Sequence, residues 1–440
     1  MVASVAQELF IRDEIDFVVC FSPSRTIAQS VATTFSRILG RSFNGQIGAA
    51  GGSYTYQSMS TLPSELWRVL TEHRVLVILD EIHHCSGSSI GHFNDGNSWG
   101  RIILDRIQGN ATYTIALSGT PWRTDDTPIA LARYSRPDGQ LHCDYEYGLQ
   151  RAVIDGVCRS PNIALTDNRE IHLKSPELGL KTFSSIRDTI NHGRISYPKF
   201  LFRDEVIDHT LSEASRKLSR IRVQIPNAAG LVVAATVAHA EQIGERLTAL
   251  GERPVIVTCR TPSAHQVIND FRESSDRWII SVGMISEGTD IPRLQVCCHL
   301  SRIRTELHFR QVLGRILRRQ RGEASDLGGW LYVLAEPSLV EFAQRISDDL
   351  PEQNVVSFLP RSSKQATDST STNTVSDAAR EEKEWELATN PADARDKLIE
   401  GLDQIPKRDT TELSMSSHYW SEVLSLFEVA PSKSDTTLNY

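Results

Sequence analysis

The sequence predicts an α/β protein built of two open, parallel-sheet lobes joined by a connection and followed by a largely disordered tail. Three observations carry that expectation. Apolar runs of strand length alternate with amphipathic stretches of helix length in two separate blocks, the pattern of parallel sheets covered by helices. At 440 residues the chain is long enough for two ordinary domains with accessories. Between the blocks and after the second one the periodicity fades, which sets the boundaries at 1–130, 131–225, 226–350 and 351–440.

In the first block the strand candidates are DFVVCF (16–21), RVLVILD (74–80) and YTIALSG (113–119). The segments RTIAQSVATTFSRIL, LPSELWRVLTEH and GRIILDRIQ read as helices. The second block alternates GLVVAAT, RPVIVT, RWIISVG, LQVCCHL and GWLYVLA with the helix candidates HAEQIGERLTAL, AHQVINDFRES and ELHFRQVLGRILRR. From 131 to 225 prolines, glycines and polar residues mix with short apolar patches, an interdomain connection with some structure of its own. The stretch SSKQATDSTSTNTVSDAAREEKE is low in aromatics and rich in Ser, Thr and Asp, as expected of a disordered, acidic, low-complexity tail. Near its end, SHYWSEVLSLFEV is amphipathic enough for one short helix.

The net charge of −8 is unevenly divided. Residues 361–440 hold 9 Lys+Arg against 15 Asp+Glu, so the body is nearly neutral. Within the body, residues 301–322 carry seven arginines and one glutamate, a local anion-binding surface despite the acidic total. No run approaches the roughly 18 apolar residues of a membrane helix, and MVASVAQELF has neither a basic end nor a cleavage pattern. The seven cysteines form no CxxC pair, which argues against a disulfide scaffold or zinc ribbon. A soluble, cytoplasmic protein with no membrane partner is expected.

Parallel sheets present functional groups at the carboxyl ends of their strands. Asp80 and Glu81 fall there, at the exit of VLVIL. Adjacent carboxylates in that place suit Mg²⁺ handling and water activation in a nucleoside triphosphatase, Asp80 holding the hydrated ion and Glu81 orienting or deprotonating the attacking water. Alone, the pair would equally well end a strand and solvate a turn. Two other patterns carry less. GSSIG (87–91) matches a nucleophile elbow in spelling, but a polar loop rather than a strand-to-helix turn surrounds it. His83, His84, Cys85 and His92 match no zinc spacing.

Further fragments give the carboxylates a context. FSPSR (21–25), TYQSM (55–59), DEIH (80–83), SGTPWR (118–123), LVVAATVAHAE (231–241), EGTDIP (287–292) and QVLGRILR (311–318) follow one another in this order. Taken together they resemble motifs Ia, Ib, II, III, IV, V and VI of superfamily 2 helicases, particularly the DExH type related to the helicase parts of type I and type III restriction enzymes. The resemblance covers roughly residues 1–345 and implies two RecA-like lobes that bind ATP and Mg²⁺ and act on nucleic acid, DNA more than RNA. It implies that Asp80 carries Mg²⁺ through water and that Glu81 is the catalytic acid–base. Arg315 and Arg318, three apart on an expected helix, would stabilise charge on the γ-phosphate. Gln311 would meet His83, and Gly288 and Asp290 would line the nucleotide. Ser22, Ser24, Arg25, Thr55 and Gln57 would contact the phosphate backbone, which positions a strand without reading it. Ser118 and Thr120 would couple nucleotide state to strand grip.

A triphosphatase of this kind also needs a glycine-rich loop whose amides and lysine cradle the phosphates. The sequence contains no Gly-Lys dipeptide, and GLKT (179–182) lacks the spacing. In the family that loop stands immediately before the helix leading to motif Ia, so the chain is expected to begin one motif too late. Two rivals follow: a non-catalytic nucleic-acid-binding remnant, and an interaction subunit whose phosphate loop comes from a separate polypeptide. No nuclease or methyltransferase signature is legible, so a restriction activity would need another chain.

Overall fold

A computed structural model of the chain describes residues 1–87, 98–121, 127–135, 139–175, 179–283, 290–320, 323, 327–348 and 412–426. They fall into two compact units, the first within Met1–Glu146 and the second beginning at Tyr147 and including the C-terminal strands.

The first unit is built on a four-stranded sheet in the order β2-β1-β3-β4, parallel throughout: β1 (Phe17–Ser22), β2 (Gly51–Thr55), β3 (Val75–Leu79) and β4 (Tyr113–Ala116). The alternation of strand side chains feeds two cores. Val18, Cys20, Leu76 and Ile78 meet Ala3 and Ala6 of α1 (Val2–Ile11) and Phe35 of α2 (Arg25–Leu39). Val19, Phe21, Val77 and Leu79 meet Met59, Ile103, Ile107 and Leu70 of α3 (Ser64–Glu72) on the other face. Burial on both faces is why VLVIL is an unbroken apolar run, and why its first polar residues mark the sheet's carboxyl edge. GRIILDRIQ becomes α4 (Ser98–Ile102) continued by a π-helical turn at Ile103–Ile107. A two-stranded ribbon, β5 (Arg133–Tyr134) with β6 (Leu141–His142), follows.

The second unit carries a seven-stranded sheet in the order β11-β12-β10-β13-β14-β7-β16. All five strands expected in the second block are present, as β10 (Ala229–Ala234), β11 (Val255–Val257), β12 (Trp278–Ser281), β13 (Leu294–Leu300) and β14 (Gly329–Leu334). The helices α9 (Val237–Ala249), α10 (Ala264–Glu273), α11 (Glu306–Ile316) and α12 (Pro337–Ser347) alternate with them. The stretch read as a connection also supplies this unit. After α5 (Leu149–Ile154), β7 (Pro161–Asn168) pairs in parallel with β14 and is buried along its whole length. Next come β8 (Ile171–Ser175), β9 (Gly179–Phe183), α6 (Ile186–Gly193) and α7 (Pro198–Leu201). Ile207, Leu211, Ala214 and Leu218 of α8 (Asp204–Arg222) then join the core formed by β10 and β13.

The C-terminal segment expected as a helix is a strand instead. β16 (Tyr419–Ser425) runs antiparallel to β7, from Tyr419 opposite Asn168 to Ser425 opposite Asn162, and β15 (Glu412–Met415) pairs with β8. The β7 edge offers a row of backbone donors and acceptors, and pairing with it outweighs the local helical pattern. Among the described residues no helix is long and apolar enough to cross a membrane.

Candidate functional site

Because the four strands of the first unit are parallel, the residues that follow β1, β2, β3 and β4 leave the sheet at one edge. The acid pair leaves it in an unusual conformation. Glu81 has φ 52° and ψ 51°, the left-handed region that a residue with a Cβ rarely occupies. Hydrogen bonds fix the backbone on both sides. Asp80 N–H donates to Phe21 O (2.9 Å), the Tyr56 hydroxyl donates to Asp80 O (2.7 Å), and Ile82 N–H donates to Leu117 O (2.9 Å). A short 3-10 turn, Ile82–His84, follows.

This turn delivers the Glu81 carboxylate to 3.3 Å from His83 Nδ1 and 3.5 Å from the Gly119 amide. The buried His83 places the same nitrogen 2.9 Å from Ser118 Oγ, which also accepts from Thr120 N–H at 3.1 Å. Glu81, His83, Ser118 and Thr120, read from two separated motifs, thus form one connected cluster. Trp122, Arg123, His92 and most of GSSIG lie outside the described residues.

Asp80 is held differently. Burial, reinforced by the neighbouring Glu81 charge, pushes its carboxyl up to about 6, with the Glu81 amide and His84 acting in the opposite direction. A carboxyl raised in the folded state favours folding only while protonated. Its contribution is fully present below the ordinary value of 3.8 and is lost as pH rises through about 6. Asp80→Asn is therefore expected to stabilise the chain by about 2–3 kcal/mol near pH 8 and by roughly 1 kcal/mol less near pH 5. Urea unfolding at the two pH values checks this, and a gain independent of pH would refute it.

The candidate nucleic-acid contacts gather at the ends of β1 and β2, where Ser22 stands opposite Thr55. Their side chains differ in role. Ser22 is fully buried, with its hydroxyl in the interior. Ser24 caps α2 by accepting from Ile27 N–H, and Thr55 caps the 3-10 helix Tyr56–Thr61 by accepting from Ser58 N–H. Arg25 and Gln57 are exposed, and Gln57 Nε2 donates to Pro23 O at 3.1 Å.

In the second unit, Asp290 and Arg318 form an ion pair, whereas Gly288 lies outside the described residues. Gln311 and Arg315 are half-buried on α11. That helix stops at Ile316 and Arg318 forms an isolated bridge with Cys158, so the helical spacing expected to put Arg315 and Arg318 on one face does not hold. Arg159, a residue that no sequence pattern marked, organises this region. Its buried guanidinium donates to Leu294 O (2.8 Å), Ile316 O (3.1 Å) and Pro292 O (3.1 Å), and pairs with the buried Glu323 at 2.7 Å. It ties the segment after Asp290 to the end of α11.

No family model matches the chain. It is 32% identical over 307 residues to an uncharacterized protein of Mycobacterium tuberculosis, a match covering 67% of this chain and 48% of that protein. The chain therefore spans about half the length of the curated relatives it matches. Among solved structures it is similar to Mycobacterium smegmatis helicase Lhr bound to ssDNA and AMP-PNP, with 14% identity and a TM-score of 0.44 over 79% of this chain and 44% of that one. It is also similar to Saccharomyces cerevisiae Dbp5 bound to RNA and ADP BeF3, with 11% identity and a TM-score of 0.44 over 89% of this chain and 87% of that one. By its ordered motifs the chain resembles the DExH type of superfamily 2 helicases, and solved structures similar to it include helicases.

Proposed function

We propose that the chain is the motor portion of an ATP-dependent, nucleic-acid-stimulated helicase or translocase, acting on DNA in preference to RNA. The observation that carries this reading is the left-handed turn that holds Glu81 against His83, Ser118 and the Gly119 amide. A strained turn tied down on both sides serves to aim a carboxylate, since ending a strand requires no such conformation.

Each residue then has a role. Glu81 orients a water and takes its proton, His83 and Ser118 relay the state of that carboxylate to the loop at Thr120, and Arg315 with Arg318 stabilises charge developing on the phosphoryl group. Arg25 and Gln57 hold the phosphate backbone. Asp80 fits Mg²⁺: it is half-buried beside a second carboxylate, and no arginine or lysine pairs with it among the described residues. When bound, the ion neutralises phosphate charge.

The triphosphate fits less well, because the sequence has no Gly-Lys dipeptide to supply a phosphate cradle. That observation favours a second reading, a nucleic-acid-binding chain that does not turn over ATP by itself. A buried triphosphate needs several amide donors and a cation to offset its desolvation. The 440-residue chain is accordingly expected to bind ATP poorly and hydrolyse it negligibly while still binding DNA, with affinity falling as salt rises. ATP titration, phosphate release and fluorescence anisotropy on labelled DNA check the three parts. Brisk DNA-stimulated hydrolysis would mean that a phosphate-binding element lies elsewhere in the sequence, and absence of DNA binding would refute both readings.

A further inference from the structure

We propose that Tyr56 is a positioning residue that links the nucleic-acid edge of the first unit to the acid turn, an inference that rests on the reading above. Three consecutive residues carry the argument. Thr55 starts the 3-10 helix Tyr56–Thr61 and Gln57 is exposed beside the β1 edge, bonded to Pro23 O. Between them Tyr56 points inward. Its ring is fully buried in the core with Met59, Leu79 and Ile82, and stacks on Trp99 with centroids 6.0 Å apart. Its hydroxyl reaches Asp80 O, the carbonyl of the peptide entering Glu81.

That carbonyl is where the turn can be controlled. Glu81 keeps its left-handed conformation because the peptide before it is tied to Tyr56 and the peptide after it to Leu117. Losing the tyrosine hydroxyl leaves a partly buried carbonyl without that donor and frees the peptide to rotate, which carries the Glu81 carboxylate away from the Gly119 amide. The same short helix carries Gln57 on its outer side. A strand seated on Gln57 and Arg25 holds the helix still, and Tyr56 passes that restraint to the acid pair. The device works by stabilising a turn already formed, so it requires no large movement.

Amide hydrogen exchange on the full chain, with and without a saturating oligothymidylate, tests this directly. In wild type the oligonucleotide is expected to slow exchange both at residues 55–61 and at 80–84. In Tyr56→Phe, which removes one oxygen and keeps the ring, amides 80–84 of the free protein should exchange about tenfold faster, the order expected for one lost, partly buried hydrogen bond. Bound oligonucleotide should then protect 55–61 but not 80–84. A purely structural tyrosine would raise exchange in the free protein without uncoupling the two segments. Equal protection of 80–84 in both proteins overturns the proposal while leaving the nucleic-acid reading intact. Wild type that binds the oligonucleotide and protects only 55–61 overturns it too, without need of the variant. Wild type that binds no oligonucleotide overturns the proposal together with the reading on which it rests.

Discussion

Glu81→Gln is expected to lower ATP turnover by about 10²–10⁴-fold, the usual worth of a positioned general base, while changing nucleotide affinity no more than about threefold. The amide is nearly isosteric with the carboxylate, so the left-handed turn, held by backbone bonds to Phe21, Tyr56 and Leu117, has no reason to change. What is lost is the negative charge and the basicity beside the Gly119 amide and His83. Since an interaction with the attacking water is made fully only in the transition state, the loss falls on kcat and not on binding. The measurement belongs in a form of the protein that carries a Gly-Lys-Thr or Gly-Lys-Ser loop ahead of α1, assayed by steady-state phosphate release and equilibrium nucleotide binding. Wild-type turnover in Glu81→Gln would remove the acid–base role.

The second large effect is on stability. Arg159→Met is expected to destabilise the second unit by about 3–5 kcal/mol, the cost of leaving one partner of a buried ion pair without the other. Both side chains are almost wholly enclosed, at 0% and 2% exposure, so the Glu323 carboxylate cannot turn to water when the guanidinium is gone. Three backbone carbonyls, of Pro292, Leu294 and Ile316, lose their donor in the same change. Adding Glu323→Leu should recover a substantial part of the loss, because the orphaned charge goes while the carbonyls remain unsatisfied. Urea unfolding followed by Trp278 and Trp330 fluorescence, with Trp67 and Trp99 reporting the first unit, separates the two units. A midpoint unchanged in Arg159→Met would show that water or a neighbouring side chain replaces the guanidinium.

How much of this was legible depended on whether the physics was local. β1, β3, β10, β12, β13 and β14 are buried on both faces, and such strands must be apolar runs whatever surrounds them. The acid pair was legible for the same reason, as the first charge at the end of such a run. β2 was not, because Gly51 hides it: a Cβ there would lie 1.8 Å from Val18 O, so the strand approaches β1 through a residue that carries no strand signal. The amphipathic pattern at 417–429 is weaker than the pairing offered by the β7 edge, which no inspection of the segment itself could reveal.

The sequence by itself determined that the chain is α/β, that the strands of its two apolar blocks run parallel, and that Asp80, Glu81, His83, Ser118 and Thr120 stand at strand ends. Only the tertiary structure decided that Glu81 is left-handed and bonded toward His83, that Ser22 is buried while Gln57 is exposed, that Arg318 lies beyond the end of α11 and pairs with Asp290, and that Arg159 fastens three segments, at 292–294, Ile316 and Glu323. The division is physical. Burial of a strand is paid residue by residue along the chain and so leaves a periodic trace, whereas a hydrogen bond between Tyr56 and Asp80 or between Arg159 and Ile316 depends on where separate segments meet, and distance along the sequence carries no record of that.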